Sequence, residues 1–131
     1  MMKGEPVMRI QESGEMYLET ILRLSQTSGH VRAIDIGEEM GYSKPSVSRA
    51  MSILKQGGYI VIEADGSIVL TDAGREIAEK IYARHTLITN FLISIGVDKE
   101  TATEDACKME HGISDASFEA IQKLVEKNNL I

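Results

Sequence analysis

The sequence predicts a mainly α protein carrying one short β-hairpin, on three observations. The chain of 131 residues has two prolines, no tryptophan and long stretches rich in Ala, Glu, Lys, Leu and Ile, a composition that favours helix. Apolar residues recur at helical spacing in most segments between turn signals. The exception is a pair of β-rich runs, residues 59–63 and 67–70, flanking Ala64-Asp65-Gly66, which is a hairpin signal.

The elements follow in order. Residues 12–26 read as a first helix, with Met16, Leu18, Ile21, Leu22 and Leu24 near helical spacing and Thr27-Ser28-Gly29 ending it. Residues 31–40 form a short second helix with Ile34, Ile36 and Met40 apolar, stopped by Gly41. In Ser43-Lys44-Pro45-Ser46-Val47-Ser48-Arg49, Ser43 can cap a third helix. Pro45 sits in its first turn, where a missing N–H does no harm, and Val47, Met51 and Leu54 make its apolar stripe. Gly57-Gly58 stop it and the hairpin follows. Thr71 or Asp72 caps a long fourth helix running to about Ile95, with Gly96 just past its end. A fifth helix fits residues 98–112, and Ser114 with Asp115 can cap a sixth through Phe118, Ile121 and Leu124. Three helices, the last two joined by a tight turn, then a hairpin: this is the order of a winged helix-turn-helix. It is predicted for residues 1–73, with a helical domain over residues 74–131.

The net charge of −6 looks wrong for a nucleic-acid binder, but the charge is unevenly spread. Residues 40–62 hold no acid, while Lys44, Arg49 and Lys55 are present, and a local basic stripe is what phosphate contact needs. The third helix should turn Lys44, Ser46, Ser48 and Arg49 to solvent, cations and hydroxyls that reach phosphates and base edges. With Ser43 and Pro45 at the same helix end they form the predicted DNA-binding set. One cysteine makes no intramolecular disulfide, so nothing suggests an oxidising compartment. Residues 1–11 lack an apolar core and no segment reaches ~18 apolar residues, so a cytoplasmic location without a membrane partner is expected. No HExxH or nucleophile–base pair is present, and no enzyme is predicted.

Residues 98–119 hold seven acids against Lys99 and Lys108, a plausible cation region or simply a solvated face. Within it, Cys107, Glu110 and His111 stand at i, i+3 and i+4, on one helical face. A thiol, a carboxylate and an imidazole suit Fe, Zn, Co or Mn rather than Ca or Mg. A lone cysteine is also a common small buried hydrophobe. Met16 and Glu19 share a face at i, i+3 on the first helix, where Met16 can equally be core.

Several segments together resemble the diphtheria-toxin-repressor family, which includes the manganese transport regulators. Glu15-Met16-Tyr17-Leu18-Glu19-Thr20-Ile21 resembles its opening helix, and Ser43-Lys44-Pro45-Ser46-Val47-Ser48-Arg49 its recognition helix. Gly58-Tyr59-Ile60 and Leu70-Thr71-Asp72-Ala73-Gly74-Arg75 resemble its wing and the start of its linking helix. Arg84-His85 and Cys107-Lys108-Met109-Glu110-His111-Gly112-Ile113-Ser114 resemble its metal-binding helices. The resemblance implies a homodimeric, metal-activated repressor of metal-uptake genes. Its N-terminal domain would bind operator DNA and its helical domain would supply dimerisation and metal ligands. It implies a primary metal site of Met16, Cys107, Glu110 and His111, and a second of Glu19 and His85. Met16 and Cys107 match the iron-responsive members, where manganese regulators usually place Asp and Glu; Glu19 matches the manganese type. Thr89 and Thr103 replace a Glu and a His of the iron-type ancillary site. The soft sulfur donors favour Fe2+, with Mn2+ next and Zn2+, Co2+ or Ni2+ as substitutes in vitro. The chain stops near where iron-type members continue into an SH3-like domain, and it is short for a manganese regulator, so a further C-terminal helix is left open. The competing expectation is a winged-helix regulator sensing a small organic ligand or thiol oxidation through Cys107.

Overall fold

The computed structural model of the chain describes residues 12–128, so the apolar-core reading of residues 1–11 lies outside it. Among the described residues the order is α1 (Glu12–Ser28), α2 (Ala33–Met40), α3 (Lys44–Gln56), β1 (Ile60–Ile62), β2 (Ile68–Leu70), α4 (Asp72–Ser94), α5 (Lys99–Gly112) and α6 (Asp115–Asn128). The chain divides into two compact units between Glu79 and Lys80, inside α4.

The first unit closes over one core of Leu18, Ile21, Ile36, Val47, Met51, Leu54 and Ile60, with Ala78 from α4. Helix α2 starts two residues later than its sequence suggests. Val31 is drawn toward the hairpin, its carbonyl accepting from the Ile68 N–H at 2.7 Å, and Arg32 stays extended as the N-cap residue. Of the apolar residues of α2, Ile34 is 68% exposed, while Ile36 is fully buried. Residues two apart on a helix project roughly 200° apart, so only one of the pair can face the core. The turn before α3 uses Gly41 at φ 73, and the Ser43 Oγ then accepts from the Ser46 N–H. Val47, Met51 and Leu54 pack inward as their i, i+4, i+7 spacing requires.

In the hairpin β1 and β2 pair antiparallel, Ile60 opposite Leu70, Val61 opposite Val69 and Ile62 opposite Ile68. Ile60, Ile68 and Leu70 are buried and Val61 and Val69 face out. Thr71, rather than Asp72, caps α4: its hydroxyl accepts from the Gly74 N–H at 3.2 Å and donates to the Gly58 carbonyl at 2.6 Å.

The second unit comprises the rest of α4 with α5 and α6. Asp98 caps α5 by accepting from the Thr101 N–H at 3.1 Å, and these hydrogen bonds hold its carboxyl below the usual range. Ser114 caps α6, its Oγ accepting from the Ser117 N–H. Ile81, Ile88, Ala102, Ala106 and Val125 are buried. Along α6 the buried residue is Val125, and Leu124 is 47% exposed. No helix of the described residues is long and apolar enough to cross a membrane.

Candidate metal centre

The buried face of α5 runs Ala102, Ala106, Glu110, at i, i+4 and i+8. A carboxylate therefore occupies the next core position after two alanines, with only 1% of its surface exposed. A buried carboxylate is costly unless its oxygens are engaged. Here His85 of α4 donates from Nδ1 to Glu110 Oε1 at 2.8 Å, the carboxylate being acceptor-only when ionised. His111 Nε2 lies 3.3 Å from the other oxygen, Oε2. Cys107, one turn before Glu110 and exposed, places its Sγ 3.8 Å from the same His85 Nδ1. The nitrogen of His85, the sulfur of Cys107 and a Glu110 oxygen all lie within 4.8 Å of one another. One N, one S and one O donor at that separation can converge on a single transition-metal ion.

The residue before His85 grips the same end of α5. Arg84, whose side chain is 7% exposed, donates from Nη1 to the carbonyls of Glu110 at 3.0 Å and Ile113 at 2.8 Å. Its Nη2 donates to Asp115 Oδ1, and its guanidinium lies 5.3 Å from the Phe118 ring centre. Lys80 reaches the same Asp115 oxygen at 3.2 Å.

His85, which the resemblance assigned to a second ion beside Glu19, shares one atom cluster with Cys107 and Glu110. Met16 and Glu19 belong to the first unit, on α1; Met16 is half-buried and Glu19 is buried, 4.0 Å from the Arg23 guanidinium. Thr89 keeps a buried hydroxyl without a hydrogen-bond partner among the described residues, whereas Thr103 donates back to the Lys99 carbonyl. The predicted DNA-facing residues Ser43, Lys44, Pro45, Ser46, Ser48 and Arg49 are all exposed. Sequence reasoning missed the hold of Arg84 on α5. Only its place beside His85 signalled it.

A helix-turn-helix with a wing, presenting an acid-free polar helix, and a helical unit gathering imidazole, thiol and carboxylate together have the form of a metal-responsive DNA-binding regulator. Residues 9–68 match the family described as iron dependent repressor, N-terminal DNA binding domain. Residues 71–129 match iron dependent repressor, metal binding and dimerisation domain. The chain is 34% identical over 114 residues to the HTH-type transcriptional regulator MntR of Bacillus subtilis, covering 87% of this chain and 80% of that protein. It is 31% identical to the transcriptional regulator MntR of Escherichia coli O157:H7, over 86% of this chain and 72% of that one. Among solved structures it is similar to the manganese regulator SloR, with TM-score 0.78 and 28% identity over 86% of this chain and 53% of that one. The metal-dependent transcriptional regulator MtsR gives TM-score 0.81 at 26% identity, again over 86% of this chain and 53% of that one. The chain thus spans about half the length of these solved regulators. It belongs to the iron-dependent repressor family, that of the diphtheria toxin repressor and the MntR regulators: a metal-dependent transcriptional repressor with a divalent metal as its cofactor.

Proposed function

We propose that this chain is a cytoplasmic, homodimeric repressor that binds palindromic operator DNA when loaded with a divalent transition metal, Fe2+ ahead of Mn2+, and controls metal-uptake genes. Residues 1–73 are its DNA-binding part and residues 74–131 its metal-binding and dimerisation part. The observation that carries this reading is the convergence of His85, Cys107 and Glu110 within 4.8 Å, inside the span matched by the metal-binding family. These three fit a transition metal by donor chemistry. His111 lies on the second oxygen of Glu110, and Met16 and Glu19 are the ligands that the N-terminal part contributes. A bound divalent cation supplies the positive charge that offsets a thiolate and a buried carboxylate side by side.

The named relatives include a manganese regulator, yet Cys107 offers a soft thiolate, which favours Fe2+ and later metals over Mn2+. Cys107 and His85 must lose their protons to ligate, so metal affinity falls as pH drops from 8 to 6. An affinity flat across that range contradicts these ligands. On the DNA side, Ser43, Lys44, Pro45, Ser46, Ser48 and Arg49 form the contact surface of α3. A two-fold dimer presents two such helices about 34 Å apart. Coupling between metal and DNA is reciprocal and typically about 1–3 kcal/mol.

The test is operator binding with Fe2+ under anaerobic conditions, Mn2+, Zn2+ or chelator. The expected result is tightening by about tenfold with Fe2+ over Mn2+, a difference of about 1.4 kcal/mol. Equal tightening by both removes the selectivity argument. DNA binding indifferent to every metal favours the thiol-sensing regulator instead.

A further inference from the structure

We propose that Arg84 is the positioning residue of the metal centre, an inference that rests on the assignment of His85, Cys107 and Glu110 to metal binding. Consecutive residues on a helix project about 100° apart, so Arg84 and His85 leave α4 in different directions. Both nevertheless end on residue 110. His85 holds the side chain of Glu110 at 2.8 Å, and Arg84 holds its main-chain carbonyl at 3.0 Å. The same Nη1 reaches the Ile113 carbonyl at 2.8 Å, immediately beyond the end of α5. Carbonyls at a helix C-terminus lack intrahelical donors, and a cation there satisfies them and complements the helix dipole.

The guanidinium is itself immobilised. Asp115 accepts from Nη2, and Phe118 lies against the group at 5.3 Å. Apolar packing alone is a poor ruler on this face, because the two buried residues preceding Glu110 are the alanines Ala102 and Ala106. The separation of α4 from the end of α5, and with it the 3.8 Å between His85 Nδ1 and Cys107 Sγ, is set by a rigid fork of hydrogen bonds. Metal–ligand distances tolerate only about 0.2 Å of error, so a loosened fork degrades the site without unfolding it. Lysine, with a compact single-point charge, cannot reproduce the fork.

The test titrates Co2+ into the full chain as wild type, Arg84→Lys, Arg84→Met and Asp115→Asn, reading the thiolate-to-Co2+ charge-transfer band, the d–d envelope and Tm without metal. The wild type is expected to show the thiolate band. Both Arg84 variants, measured well below their own Tm, bind Co2+ about 10–100-fold more weakly with an altered d–d envelope. Asp115→Asn loosens the guanidinium but keeps the two carbonyl contacts, so it lowers Tm and weakens Co2+ binding less than either Arg84 variant does; an Asp115→Asn loss as large as theirs contradicts the primacy of the carbonyl contacts. If Arg84→Met fails to fold, Arg84→Lys decides. Arg84 variants with lower Tm but wild-type spectrum and affinity make the residue merely structural and overturn the inference. A wild type without a thiolate band overturns the metal assignment itself, and the inference with it.

Discussion

Glu110 shows how a single side chain can carry both a fold and a site. It continues the buried Ala102–Ala106 face of α5, and the hydrogen bond from His85 helps make that position tolerable for a carboxylate. The spacing of Cys107, Glu110 and His111 was legible in the sequence, because i, i+3 and i+4 depend on nothing beyond helix formation. The approach of His85 to Cys107 and Glu110 does not follow from spacing, since it comes from α4, 22 residues before Cys107. The family resemblance named His85 as a ligand together with Glu19, and the geometry sets it close to Cys107 and Glu110. Asp115 is a residue whose effect on stability has a calculable sign. Lys80 first, then Arg84, holds its carboxyl below the usual range. A depressed folded-state pKa gives stability that is present above the unfolded value, about 3.9, and lost as pH falls through the folded value. Urea midpoints should therefore drop for the wild type below about pH 4, and Asp115→Asn should flatten that acid limb while lowering stability at pH 7. An unchanged acid limb in the variant would remove Asp115 from the explanation.

At the scale of elements, caps and stops were readable and helix faces less so. Ser43 and Ser114 cap the helices their sequence positions suggest, because an N-cap needs only a short acceptor beside its own backbone. Ile34 and Leu124 turned out exposed because a run of apolar residues does not say which of two faces the neighbours will cover. Gly74 shows the reverse, a residue read only as part of a motif that has a steric cause. A Cβ there would overlap the Tyr59 carbonyl oxygen, where α4 passes under the hairpin. Gly→Ala inside a helix normally gains about 0.5–1 kcal/mol, but displacing backbone costs about 1–3 kcal/mol. Gly74→Ala is therefore expected to lower stability, and a chemical-denaturation midpoint at or above wild type would contradict the close approach. On α3, Lys44→Ala and Arg49→Ala should each reduce the slope of log affinity for DNA against log salt by about 1, if each side chain meets one phosphate. Weakening without any change in slope would instead place them at base edges.

At the scale of the whole molecule, the order of helices, hairpin and helices was enough to predict a winged helix-turn-helix followed by a helical domain, because each element announced its own ends. The proposed coupling of metal to DNA binding draws on residues of both units. Met16 and Glu19 lie in one unit, and His85, Cys107, Glu110 and His111 in the other. If metal binding tightens operator binding, as proposed, operator DNA must tighten metal binding by the same factor. The claim on which everything else depends is that Glu110 belongs to the metal site that governs DNA binding. Its most direct measurement is operator affinity of the wild type and of Glu110→Gln, each with chelator and with anaerobic Fe2+. The wild type should tighten by about tenfold or more, within the usual range of coupling, and Glu110→Gln by less than about twofold. A Glu110→Gln protein that is folded and tightens as strongly as the wild type would contradict the assignment.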